Sequence, residues 1–193
     1  MRERFITEVE TVEYRKTVTL KNGGECTIRN GTEKDGKAAL ENFILTHRQT
    51  DFLLTYPDEN TFTEADEANF LDEKSKSENE IELVAEVGGK IVGLAGIEAV
   101  GSVSKLKHRA QFGVSVDKAF WGLGIGRELT KACIYCARKA GYTQIELDVA
   151  AANTAAAELY KSEGFTEYGR NPKGFKSREG EYVELILMRL SLD

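Results

Sequence analysis

Residues 112–116 set the pattern on which the chain is organised. Phe112, Val114 and Val116 alternate with Gly113 and Ser115, the period of two that marks a strand. The chain then turns through Asp117 and Lys118, passes Phe120 and Trp121, and reaches three glycines at every second position: Gly122, Gly124 and Gly126. Leu129, Cys133, Cys136 and Ala140 follow at spacings of three and four, the period of an amphipathic helix. The local prediction is strand, glycine-rich turn, helix.

The same periods divide the rest of the chain. Residues 25–29 predict a strand, and Thr32, Glu33 and Asp35 open a helix over 34–47 with Leu40, Phe43, Ile44 and His47 on one face. Residues 52–62 are irregular and hold Pro57; a second helix over 63–75 is capped by Thr63 with Asp66 three positions on. A charged, solvated loop over 74–80 precedes two strands, 81–87 and 90–100, joined at Gly88 and Gly89. A strand over 105–116 comes next, and another over 145–149 follows the helix. A turn at Arg178, Glu179 and Gly180 leads into an alternating strand over 182–190. At the start of the chain, residues 8–14 and 17–20 alternate and Asn22-Gly23-Gly24 signals a turn. Residues 1–24 are therefore expected to add a hairpin or edge strand to a main domain over 25–193.

Composition narrows the class. The 193 residues are 41% hydrophobic and 30% charged, as in an ordinary globular chain. A net charge of −6 argues against a nucleic-acid partner held through phosphates and is compatible with a cationic substrate. No signal sequence or membrane-length apolar run is read, so a cytoplasmic location is expected. Three cysteines give no disulfide framework. Cys133 and Cys136 are spaced C-x-x-C but fall inside the helix, past its second turn, where core packing is the better reading than redox or zinc chemistry. No metal site is expected.

A helix start that follows glycines is a seat for an anion. The first N–H groups have no internal partner, the helix dipole adds partial positive charge, and glycine lets a ligand approach. Arg127 stands just inside that helix and offers a charge-assisted contact. The spacing does not fit a dinucleotide fingerprint, which would require glycine where Arg127 or Leu129 stands, and no Walker loop is present. A nucleotide- or flavin-dependent oxidoreductase is disfavoured accordingly. A glycine turn without a ligand is the competing reading.

Trp121-Gly122-Leu123-Gly124-Ile125-Gly126, followed by Arg127, resembles the R/Q-x-x-G-x-G/A signature of the GNAT acyltransferase superfamily, with Trp121 in place of the usual Arg or Gln. One helix and one strand later, Asn153, Ala156, Leu159, Tyr160, Gly164 and Phe165 are similar to the superfamily's N-x-x-A-x-x-[LF]-Y-x-x-x-GF run in order and spacing. The resemblance covers roughly residues 25–190. It implies an α/β fold: a mixed, mostly antiparallel central sheet of about seven strands with about four helices. Two parallel strands, ending near Val116 and Val149, would splay apart in it.

The resemblance also implies chemistry: direct transfer of acetyl from acetyl-CoA, as co-substrate, to a primary amine of an amino acid, a small amine or polyamine, or a protein N-terminus. By that likeness Val114, Ser115 and Val116 accompany the pantetheine arm, and residues 121–127 (Trp121, Gly122, Leu123, Gly124, Ile125, Gly126, Arg127) hold the pyrophosphate. Asn153 and Ala156 complete the cofactor seat, and Tyr160 stands near the sulfur as a proton donor to the leaving thiolate. The competing reading of Tyr160 is an aromatic that packs its helix on the sheet. Phe52, Tyr56 and Phe62 are candidates to line the acceptor pocket. Glu98, near a strand end, is the candidate base, against the reading of a solvated glutamate; His108 ranks below it and His47 reads as a helix-packing residue. A homodimer is common in the superfamily. An acyl-CoA-binding sensor without turnover is the alternative function.

Overall fold

The computed structural model describes residues 11–193. Among these residues eight strands form one sheet: β1 (Arg15–Thr19), β2 (Glu25–Asn30), β3 (Ile81–Val87), β4 (Lys90–Ala99), β5 (Arg109–Val116), β6 (Gln144–Ala150), β7 (Thr166–Lys176) and β8 (Tyr182–Ser191). Four helices accompany them: α1 (Gly36–Gln49), α2 (Glu64–Lys76), α3 (Ile125–Lys139) and α4 (Thr154–Ser162). The sheet order is β1-β2-β3-β4-β5-β6-β8-β7, antiparallel throughout except for β5 beside β6. This is the mixed, mostly antiparallel sheet expected, with one strand more than the expected number. The first alternating segment, 8–14, lies partly outside the described residues; its described part, 11–14, is not strand, and β1 pairs with β2 as the sheet edge.

β3 and β4 read as nearly continuous apolar runs because both faces of the sheet are covered there. On one face Ile81, Leu83, Ala85 and Ile97 pack with Leu129, Cys133 and Cys136 of α3, so both helix cysteines are core residues. On the other face Val84 and Leu94 meet Leu71 of α2 and Ala39 of α1. Thr63 caps α2 with its side chain accepting from the Asp66 N–H, while Asp66 returns to the Thr63 N–H at 2.8 Å. The strand expected from 105 begins only at Arg109. Before it, the Leu106 N–H donates to Val103 (2.8 Å) and the Arg109 N–H to Leu106 (2.9 Å), so local turns take the hydrogen bonds that a sheet partner would need.

The parallel pair is short. β5 and β6 face each other at Arg109↔Gln144, Ala110↔Ile145 and Gln111↔Glu146, and no further. Beyond that point β5 stays with β4 as far as Val116↔Gly93, while β6 stays with β8 as far as Ala150↔Leu185. The two strands therefore diverge into a V. Its closed end is held by Arg109, whose guanidinium grips Glu146 with two parallel hydrogen bonds, the second 2.7 Å long. Glu146 is buried, and the neighbouring guanidinium holds its carboxyl below the usual range.

Candidate active site

The V opens into a continuous cleft of about 1540 Å³. Its wall on the β5 side is an unpaired backbone edge. The Asp117 N–H donates to Val92 of β4 at 2.8 Å, and the Arg109 carbonyl accepts from Val100, just past the end of β4, at 3.1 Å. By alternation Gly113 and Ser115 also turn their backbone groups to β4, and Phe112, Val114 and Val116 turn theirs to the β6 side. Two of these groups are engaged: the Phe112 N–H in the last pairing with β6, at Gln111↔Glu146, and the Val116 carbonyl, which accepts from the Trp121 indole N–H at 2.7 Å. The Phe112 carbonyl, both groups of Val114 and the Val116 N–H face the opening. Trp121, where the signature has Arg or Gln, thus ties the glycine turn to the end of β5. Ser115 differs from its neighbours: its backbone belongs to the sheet, and it lines the cleft without offering that edge.

The glycine turn ends in the N-cap of α3. Gly124 has φ of 101°, a left-handed conformation that side chains disfavour, and a Cβ there would meet nothing within 4 Å. The open space lies where a ligand would approach. The first N–H of α3 to find a helical acceptor is that of Glu128, bonded to the Gly124 carbonyl at 3.1 Å. The N–H groups of Ile125, Gly126 and Arg127 precede it and are free for an anion. The Arg127 side chain is turned to Glu163 at 2.5 Å, so its contribution at this point is its backbone N–H. The turn between β1 and β2 leans on this loop through the Lys21 N–H, which donates to Leu123 at 3.2 Å. Leu123 lines the cleft with the glycines around it.

α4 closes the other side of the V. Asn153 caps it, its Oδ1 accepting from the Ala156 N–H at 3.3 Å, which leaves the side-chain NH2 as a free donor at the cleft wall. Tyr160, two turns on, is buried and packs edge-on against Phe112 at 6.0 Å and beside Phe165 at 5.9 Å. Its hydroxyl takes no hydrogen bond from the described residues, and burial pushes its pKa up to about 12. A phenol in that state is a proton donor and not a base.

On the α1/α2 face the sheet carries an unfilled row. Glu82 of β3, Gly96 of β4 and Gly113 of β5 are successive cross-strand partners. Strands are spaced about 4.8 Å apart, so the row runs from Glu82 to the mouth of the V in two steps. Gly96 permits the arrangement: a Cβ there would lie 2.1 Å from Glu82 Oε2. The Glu82 carboxyl therefore rests over Gly96, one strand from Gly113, where added atoms would meet nothing within 4 Å. Burial, reinforced by the charge of Glu67, pushes Glu82 up to about 8.

Glu98, the carboxylate singled out from the sequence, stands farther along β4. Its side chain is 60% exposed and ion-paired with Lys74 Nζ at 2.9 Å. Glu82 was not singled out, because a glutamate in Ile81-Glu82-Leu83-Val84 reads as the polar side of a half-buried strand. The signal available was Gly96, a missing side chain at the register position beside it. His108 is exposed and away from the cleft, and His47 stacks on Phe43 at 3.7 Å with Nδ1 at 2.8 Å from its carbonyl. Phe52 and Phe62 line the cleft. Tyr56 does not; it lies under the Arg178 guanidinium at 4.0 Å and accepts the Arg178 N–H at 3.2 Å, tying the α1–α2 loop to the β7–β8 turn.

The sequence profile of the Acetyltransferase (GNAT) family matches residues 42–165, more than half of the chain. A GNAT-family acetyltransferase structure from Streptococcus pneumoniae superposes with a TM-score of 0.82 at 28% identity, covering 86% of this chain and 99% of that one. The yncA structure of Salmonella typhimurium, described with its cofactor acetyl-CoA, gives 0.77 at 25% identity, covering 87% and 94%. The L-methionine sulfoximine/L-methionine sulfone acetyltransferase of Salmonella typhimurium is 31% identical over 112 residues, 58% of this chain and 64% of that protein. The chain thus spans less than two thirds of the length of that curated relative. A splayed parallel pair, a glycine-capped helix at its mouth and a profile match that contains both lead to one assignment: the chain belongs to the GNAT acetyltransferase family.

Proposed function

We propose that this chain is an acetyl-CoA-dependent N-acetyltransferase acting on a primary amine. The observation that carries the reading is the unpaired edge of β5 from the Phe112 carbonyl through Val114 to the Val116 N–H, in a cleft that the glycine-capped start of α3 and Tyr160 also line. An amide-bearing arm fits that edge as a missing strand would. The free N–H groups of Ile125, Gly126 and Arg127 suit a pyrophosphate, and the Asn153 NH2 suits an amide carbonyl. Bound there, acetyl-CoA supplies an activated acyl thioester. The Glu82 carboxylate takes a proton from the entering ammonium, directly or through one water. As nitrogen bonds to the acyl carbon, a backbone N–H of the β5 edge receives the charge developing on the carbonyl oxygen. The C–S bond breaks, and the Tyr160 hydroxyl donates its proton to the departing sulfur. The second nitrogen proton leaves to solvent, from which Tyr160 is restored.

Thermal unfolding with acetyl-CoA, against NAD and ATP as controls, tests the seat. At a hundredfold excess over the dissociation constant, acetyl-CoA is expected to add about 2.7 kcal/mol, a shift of a few degrees. Release of free thiol on adding amines then tests transfer. A shift with NAD or ATP and none with acetyl-CoA contradicts the reading.

A further inference from the structure

The cleft differs in charge along its length. Its lysine and arginine lining, Lys16, Lys21 and Arg127, lies at the glycine-turn end, where Glu128 and Glu158 line it as well and Lys16 and Arg127 are matched by Glu128 (3.7 Å) and Glu163 (2.5 Å). The α1/α2 end is lined instead by Glu67, Glu82, Glu98 and, on the far lip, Asp148. Among the described residues three of these carboxylates lack partners: Glu67, Glu82 and the exposed Asp148. Glu67 is only 8% exposed, yet among the described residues nothing hydrogen-bonds to its carboxyl, and burial raises its pKa. The Glu82 carboxyl likewise has no hydrogen-bonding neighbour. Lys74 is held by Glu80 at 2.8 Å and Glu98 at 2.9 Å. His47 is kept neutral by burial and turned to a backbone carbonyl. A buried carboxylate is costly without a cation, and the fold leaves that position to a ligand. The described residues hold no group of three or more His, Cys, Asp or Glu placed to share a metal ion, so an organic cation is the fitting occupant. The rings of Phe43 and Phe70 line the same end and offer apolar and π surface to its carbon skeleton.

Resting on the acyl-transfer reading above, we propose that the acceptor is a small cationic amine with no carboxylate beside the reacting nitrogen, selected by Glu67 and Glu82. An α-amino acid placed with its nitrogen over Gly96 and Gly113 would bring its own carboxylate against both glutamates, with no Lys or Arg among the residues lining that end and the nearby Lys74 already held by Glu80 and Glu98. The simple amine brings only the charge that the pocket lacks. The reaction is the one already written: the N–C bond forms, the C–S bond breaks, and Glu82 takes the first ammonium proton.

The test is thiol release from acetyl-CoA with matched pairs, tyramine against tyrosine and isopentylamine against leucine, beside thermal unfolding with acetyl-CoA alone. The proposal expects kcat/KM at least about tenfold higher for the amine in each pair, since a like-charge contact of ~1.4 kcal/mol is worth that factor. Glu67→Gln is expected to narrow the ratio, mainly through KM for the amine. Asp148→Asn, an exposed change, is expected to narrow it less and covers the case in which Glu67→Gln fails to fold. Equal or better turnover of the amino acids, with the acetyl-CoA shift present, overturns the selection and leaves the transferase reading standing. Turnover of neither member, with the shift present, overturns the small amine in favour of a macromolecular one. Loss of the shift itself removes both readings.

Discussion

At the scale of single residues, acyl transfer here depends on two groups that the fold keeps protonated in different ways. Tyr160 is held as a phenol by burial, with its pKa up to about 12 and its hydroxyl free of partners. Tyr160→Phe keeps the ring against Phe112 and removes only the proton, so turnover is expected to fall about 10²-fold or more while acetyl-CoA affinity and unfolding temperature hold. Steady-state rates with a parallel binding titration check this; an unchanged kcat would return Tyr160 to a packing role. Glu82 works in the opposite sense, because it must be ionised to take a proton. With a pKa of about 8, kcat/KM is expected to rise roughly tenfold per pH unit from pH 6 and level off near 8, and Glu82→Gln is expected to lower the rate and remove that limb. The same group makes a stability statement. Its folded-state value lies above the ordinary 4.5, so the native state binds the extra proton. Its contribution is therefore full below about pH 4.5 and lost as pH rises through about 8. Glu82→Gln is expected to flatten that decline in melts taken from pH 5 to 9.

At the scale of elements the V depends on where β5 and β6 stop pairing. Arg109 and Glu146 fasten its closed end. Removing the charge with Glu146→Gln is expected to cost about 1.5–3 kcal/mol, the range for hydrogen bonds to a charged group, read as a lower urea midpoint at unchanged slope. Because Arg109 depresses the Glu146 carboxyl, this contribution is present above its ordinary pKa near 4.5 and fades as pH falls through the lower folded value. How much of this was legible differs by element. The strand, glycine turn and α3 were readable because each is a local period punctuated by glycine. The strand start at Arg109 was not, since the turn bonds among Val103, Leu106 and Arg109 leave no mark in hydrophobic alternation. The Glu82–Gly96–Gly113 row was hidden for a different reason: it exists only across three strands, once their register is fixed. The latch from Trp121 to Val116 likewise needs the turn's geometry, and from the sequence Trp121 looked only like a departure from the signature.

At the scale of the whole molecule, a modest net charge of −6 conceals a partial sorting. The end of the cleft suited to pyrophosphate mixes Lys16, Lys21 and Arg127 with Glu128 and Glu158, whereas the end suited to an ammonium is bordered by the unpaired carboxyls of Glu67 and Glu82 and by no lining Lys or Arg. The α1–α2 loop spans toward the β7–β8 turn through Tyr56, Asp58 and Arg178, where Arg178 meets Asp58 at 2.7 Å, so residues distant in the chain border one opening. That sorting is a property of the assembled sheet; no stretch of the sequence displays it. The most direct test of the central claim is amide hydrogen exchange with and without acetyl-CoA. New protection is expected only at Val114 and Val116 on β5 and at Ile125, Gly126 and Arg127 at the start of α3, with the edges of β1 and β7 unchanged. Protection elsewhere on the molecule, or none at saturating acetyl-CoA, would contradict the placement of the acyl donor in the V.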